Sequence, residues 1–217
     1  MTLKAILSEP GEHLYTLEGP VGKIESVFTI PDHGQKQLFA VLGHPHSLQG
    51  GTMTNKVVTT LARTFRALDI PSVRFNFRGV GHTDGQFDDG IGESEDMLSV
   101  VSQIKSVAPE LEFIFAGFSF GSFVAYRAAA QHSHKMLISI APPIERFDYE
   151  SFQPAPSPWM IIQGLQDEVV EPDGVLEFAK QHSPELEVLT FEETGHFFHG
   201  KLVELKNRLI DMLQSQD

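Results

Sequence analysis

Ser119 stands at the centre of Gly117-Phe118-Ser119-Phe120-Gly121, after an apolar run at 112–116 and before an Ala-rich run at 122–130. This pattern predicts a strand, a sharp turn with the serine at its apex, and then a helix. At positive φ the apical Oγ projects from the turn, at a strain of about 1–3 kcal/mol for a residue with a Cβ. The glycines two before and two after remove side chains where strand and helix converge. The helix turns the positive end of its dipole toward the serine. A hydroxyl displayed in this way suits attack on an acyl carbon. Serine is a weak nucleophile unaided, so the chemistry also needs a base, an acid that orients the base, and donors for the oxyanion.

Candidates for each lie further along or earlier in the chain. The segment 159–170 reads as a strand broken by Gly164, followed by Asp167 and Glu168. The segment 192–199 follows another strand and carries His196 and His199, with Gly195 giving the loop freedom before His196. The loop Gly43-His44-Pro45-His46-Ser47, with Gly50-Gly51 beyond it, follows an early apolar strand. Both acids and both histidines stay open at this level.

The elements that must position these groups alternate in type. Residues 13–18 and 23–30 predict a hairpin about Gly19-Pro20. Residues 37–42 are a continuous apolar run, as expected of a strand buried on both faces. Helical spacing marks 55–68. Strands follow at 71–77, 112–116, 135–141, 159–163 and 187–191, and helices at 93–107, 122–130, 175–182 and 201–214. Alternation of this kind predicts an α/β fold, a mostly parallel sheet covered by helices on both faces. The N-terminal hairpin adds an antiparallel edge. The 217 residues suit one domain, 1–217.

Composition narrows the partners. A formal net charge of −13 disfavours nucleic acid and anionic membrane. The absence of cysteine removes disulfides, thiolate metal sites and a cysteine nucleophile. Residues 1–10 hold one lysine and too short an apolar run for a signal peptide, so a cytoplasmic protein is expected.

These residues together resemble the α/β-hydrolase superfamily, and within it small, lidless, esterase-like bacterial serine hydrolases. The resemblance is carried by His44-Pro45-His46-Ser47 with Gly50-Gly51, by Val73-Arg74-Phe75-Asn76-Phe77-Arg78-Gly79-Val80-Gly81, and by 116–121. Ser139-Ile140-Ala141-Pro142-Pro143, Gln163-Gly164 with Asp167, and His196-Phe197-Phe198-His199 complete it, spanning residues 44 to 199. It implies the chain order nucleophile, acid, base, and so favours Ser119, Asp167 and His196 over Glu168 and His199. It also implies oxyanion donors from the backbone of Phe120 and of the early loop. That loop carries Pro45 where the family has glycine; proline has no N–H, so His46 becomes the expected donor. The stretch 143–158, where larger members insert a lid, is too short for one. No cofactor is expected, and the expected substrate is a small acyl ester; a thioesterase, an acyl-peptide hydrolase and a catalytically silent binding protein are the alternatives.

Other constellations carry less. His44-x-His46 and His196-x-x-His199 lack a carboxylate at metal-site spacing, so no metal is expected. Arg78-Gly79-Val80-Gly81-His82 does not match a dinucleotide fingerprint; it predicts a turn beneath the site, with Arg78 paired to one of Asp84, Asp88, Asp89 or Asp96. The acids Glu93, Glu95 and Asp96 are explained by a helix start. Of Phe118, Phe120, Phe123, Phe197 and Phe198, which surround the serine in sequence, at least half are expected to be core, with Phe120 and Phe197 the better candidates for an apolar substrate pocket.

Overall fold

The computed structural model describes residues 1–33 and 37–215. The elements run α1 (Leu3–Ile6), β1 (Gly11–Gly19), β2 (Gly22–Ile30), β3 (Leu38–Gly43), α2 (Lys56–Ala67), β4 (Ser72–Phe75), α3 (Ile91–Val107) and β5 (Glu112–Phe118). They continue with α4 (Phe120–Ala129), β6 (Met136–Ile140), β7 (Trp159–Gly164), α5 (Pro172–Gln181), β8 (Glu187–Phe191) and α6 (Leu202–Ser215). The strands form one sheet in the order β1-β2-β4-β3-β5-β6-β7-β8. The β1–β2 and β2–β4 pairs are antiparallel and the other five are parallel. The expected α/β architecture and its antiparallel N-terminal edge are therefore both present.

Strand parity divides the core. In β5, Phe113 and Phe115 face one apolar layer, while Ile114, Ala116 and Phe118 face the other. The first layer is closed by α3 and α4 through Met97, Val100, Ile104 and Val124; the second is closed by α2 and α6 through Val58, Leu61, Leu205 and Leu209. Residues on both faces are therefore apolar, which is why the central strands read as unbroken hydrophobic runs. Each fully buried side chain of this size contributes about 1.5–3 kcal/mol relative to exposure.

Element ends depart from the periodicity for local reasons. Helix α1 is too short to leave a periodic signal; Thr2 caps it by accepting from the Ala5 N–H at 3.3 Å. Helix α5 starts at Pro172, three residues earlier than its apolar spacing indicates, as suits a proline at the first helical position. Helix α3 begins at Ile91, behind Gly90, whose N–H donates to the Glu93 carboxylate at 2.9 Å. Glu93 and Asp96 are buried, so these acids are structural partners and not only complements to a helix dipole. Among the described residues no helix is long and apolar enough to cross a membrane.

Two contacts at the C-terminal edge of the sheet bring the chemistry-bearing loops together. Gly43, Gly117 and Gly121 meet where β3, β5 and α4 converge: a Cβ on Gly121 would lie 2.5 Å from the His44 carbonyl oxygen and would overlap the Gly43 carbonyl. Just beyond β3, His44 is fully buried. Its Nδ1–H donates to the Pro45 carbonyl at 2.7 Å, and its Nε2 accepts from the Phe77 N–H at 2.9 Å. Burial pulls its pKa from the ordinary 6.5 to about 4.

Two expectations follow from these contacts. Gly121→Ala presses a methyl group on fixed backbone carbonyls, so it should lower stability by about 1–3 kcal/mol, read from the urea midpoint. An unchanged midpoint would show that the crossing relaxes freely. For His44, the unfolded chain takes up a proton below pH 6.5 while the folded one refuses it down to about 4. Stability should therefore fall with acid across that window, by about 3 kcal/mol from this group. His44→Gln should flatten that part of the pH–stability curve, and an identical slope in the variant would refute the assignment.

Candidate active site

Ser119 lies between β5 and α4 with φ 54° and ψ −124°. Few non-glycine residues hold such a backbone, and the surroundings over-determine it. Its N–H donates to the Ile140 carbonyl of β6 at 2.8 Å, and its carbonyl accepts from the Ser122 N–H at 2.8 Å. That carbonyl also accepts from the Ser122 hydroxyl at 2.6 Å. With its proton so committed, Ser122 Oγ accepts from the Tyr149 hydroxyl at 2.7 Å. Burial drives the Tyr149 phenol far above its usual pKa, so it remains a donor. The serine itself is partly exposed. Tyr149 lies 27 residues from Ser122 in an irregular segment, and no local pattern marks it.

His196 Nε2 lies 3.1 Å from Ser119 Oγ, and His196 Nδ1 lies 2.8 Å from Asp167 Oδ2. Both partners of the second contact are buried, the His196 side chain 3% exposed and the Asp167 side chain 0%. Burial alone pushes the Asp167 carboxyl up. The hydrogen bond from His196 and those from the Val170 and Val169 N–H groups, both 2.8 Å to Oδ1, outweigh it and leave the pKa lowered. Gln163 Nε2 adds a longer contact to Oδ2 at 3.3 Å. An ionised Asp167 must receive the proton on Nδ1, so Nε2 presents its lone pair and the Ser119 hydroxyl donates to it.

The loops after β7 and β8 are tied to each other. Glu168, the rival acid, is exposed as expected, yet its Oε2 accepts from the His196 N–H at 3.2 Å. The Gln166 N–H donates to the Thr194 carbonyl at 3.0 Å. His199 is exposed and its ring contacts Phe197 at 5.9 Å; of the two histidines, His196 is the one hydrogen-bonded to the serine. Phe118 packs under the His196 ring at 4.9 Å. Phe198 is buried against Phe191 and Phe123 against Phe147, as core residues.

The loop after β3 forms the opposite wall. Gly51 and Gln49 N–H groups both donate to the His46 carbonyl at 3.0 Å, curling the loop into a 3₁₀ turn at Ser47–Gln49. The His46 ring lies against Phe87 at 4.9 Å and Phe120 at 5.0 Å. Phe120 opens α4, so its N–H has no acceptor inside the helix. Among the described residues neither the Phe120 nor the His46 N–H is paired with an acceptor. Both residues line a cleft of about 230 Å³ with Ser119, His196 and Phe197. Phe197 is 41% exposed there, whereas the Phe120 ring is almost wholly buried among other aromatic rings and is more wall than surface.

Arg78 grips Asp96 with Nε and Nη2, each 2.8 Å from a carboxylate oxygen. Of the partners left open by the sequence, Asp96 is thus the close one, with Asp88 Oδ2 3.8 Å from Nη1. Both ring nitrogens of His44 are committed to backbone groups. Among the described residues no group of three histidines and carboxylates could hold a metal ion.

No family model matches the chain. It is 30% identical over 205 residues to the uncharacterized protein RP471 of Rickettsia prowazekii, covering 90% of this chain and 86% of that one. It is 39% identical to XC6422 of Xanthomonas campestris, a solved α/β serine hydrolase without a lid, with a TM-score of 0.91 over 96% of both chains. An α/β serine hydrolase homologue from Coxiella burnetii is 41% identical, with a TM-score of 0.87 over 93% of this chain and 97% of that one. A strained serine between β5 and α4, an eight-stranded sheet with no lid, and this degree of likeness agree: the chain belongs to the lidless bacterial α/β serine hydrolases.

Proposed function

We propose that the protein hydrolyses small carboxylic esters through an acyl-enzyme on Ser119, with His196 as base and Asp167 as its orienting acid. The observation that carries this reading is the hydrogen-bonded series Ser119 Oγ, His196 Nε2, His196 Nδ1, Asp167 Oδ2, at 3.1 and 2.8 Å, opening on a cleft. As Ser119 Oγ bonds to the acyl carbon, its proton passes to His196 Nε2 and the carbonyl electron pair moves to oxygen. The N–H groups of Phe120 and His46 receive that oxyanion; one such donor contributes about 2.7–4 kcal/mol in comparable sites. Collapse breaks the bond to the alkoxide, which leaves with the proton from Nε2. Water then repeats the sequence on the acyl-enzyme and frees the acid and Ser119. Throughout, the Asp167 carboxylate holds Nδ1–H and stabilises the imidazolium without being protonated itself.

The fluorophosphonate reaction tests the nucleophile. Wild-type protein should be labelled covalently and Ser119→Ala should not; labelling that persists in the variant sinks the assignment. In p-nitrophenyl acetate turnover, Asp167→Asn should lower kcat by about 10⁴, because Nδ1 would lose its acceptor and favour the wrong tautomer. His196→Ala should be comparably impaired, and His199→Ala should stay within a few-fold of wild type. The reverse order of these two would exchange their roles.

A further inference from the structure

We propose that the cleft selects acyl esters that carry a carboxylate, and that Arg146 is the residue that recognises it. This inference rests on the ester-hydrolase reading for the reaction, but not for the binding. Arg146 lines the same cleft as Ser119 and His196, and among the described residues no lysine, aspartate or glutamate lines it. The arginine is exposed, and one of its guanidinium donors is tied to the backbone. Its N–H donates to the Pro143 carbonyl at 3.0 Å, and its Nη2 donates to the Val169 carbonyl at 3.0 Å. Val169 belongs to the loop that presents Asp167, so the guanidinium is anchored to the wall that holds the acid. One of its N–H donors is used in this way; the other four, in a planar fork, match a carboxylate.

The charge is unneutralised. Arg66, Arg74, Arg78 and Arg208 each lie within 4 Å of a carboxylate, at Asp32, Glu12, Asp96 and Glu204. Among the described residues Arg146, like Arg63 and Arg127, has no such partner, and of these three it is the one that lines the cleft. Of the neighbouring acids, Asp148 accepts from the Glu150 N–H at 2.9 Å, and Glu145 Oε1 lies beside Gly174 of α5, 3.2 Å from where a Cβ on that glycine would stand. Across the cleft, burial lowers the pKa of the His46 imidazole; Asp89 opposes that shift and the positive charge of Arg146 adds to it. The guanidinium field therefore extends to the loop that would hold the oxyanion. A chain of net charge −13 repels small anions on the whole, so an unpaired arginine in the same cleft as Ser119 is a local reversal of sign.

Two esters of similar length separate charge from fit: mono-p-nitrophenyl glutarate and neutral p-nitrophenyl valerate. The wild-type protein should favour the glutarate ester in kcat/KM by about tenfold, as a charge-assisted pair allows. Arg146→Gln should remove that ratio and Arg146→Lys should keep part of it. Equal ratios in wild type and Arg146→Gln would overturn the proposal. A second arm needs no turnover. Ser119→Ala should bind the glutarate ester by calorimetry, and the added Arg146→Gln should weaken that binding about tenfold. Binding that depends on Arg146 without hydrolysis of either ester would uphold the carboxylate site and refute the ester-hydrolase reading; hydrolysis of both with binding indifferent to Arg146 would do the opposite.

Discussion

The left-handed backbone of Ser119 is the constraint on which the rest of the site depends. A serine does not hold φ 54° unaided. Here the neighbouring strand fixes its N–H, and the first turn of α4 fixes its carbonyl. The crossing can close this tightly because Gly43, Gly117 and Gly121 place backbone where side chains would stand. The strain is thus sustained by hydrogen bonds and close packing in the surrounding sheet, and its product is a partly exposed hydroxyl on an otherwise buried scaffold.

His196 and Asp167 are held by a different principle. They lie in the loops that follow adjacent strands, β8 and β7, and those loops bond to each other. Glu168 receives the His196 N–H, and Thr194 receives the Gln166 N–H. Asp167 spends one carboxylate oxygen on two backbone donors and offers the other to the imidazole. Desolvation would favour a protonated acid, and the convergence of donors reverses that preference. The orientation of the imidazole is therefore set by backbone geometry as much as by the carboxylate.

Much of this was legible in the chain, because both sheet and site are written in local patterns. Continuous apolar strands, a serine between glycines, and an acid and a histidine just past later strands each have a signature within about ten residues. What escaped the sequence depends on side-chain tips meeting across long separations. Nothing near Tyr149 announces a bond to Ser122, and nothing near Glu168 announces that an exposed acid would hold the His196 backbone. Phe120 shows the same limit: its position beside the serine was readable, but the turning of its ring into an aromatic cluster follows from Phe77, Phe87 and Phe147, which lie on other segments. The role of His44 was open in the sequence, because both its nitrogens are committed to backbone groups of its own loop and of the segment after β4.

The Tyr149 hydroxyl also divides the crossover between β6 and β7 into two parts with different freedom to change. Residues 143–147 contribute the cleft-lining Pro143, Arg146 and Phe147, and Tyr149 just beyond them is hydrogen-bonded to Ser122 in the first turn of α4. Beyond it, 150–158 runs mostly exposed to the start of β7. Added length before the tyrosine would pull on the turn that holds Ser119; added length after it would leave the anchor untouched. An evolving or engineered descendant acquiring a cover for this open cleft thus has a preferred point of insertion, on the far side of Tyr149.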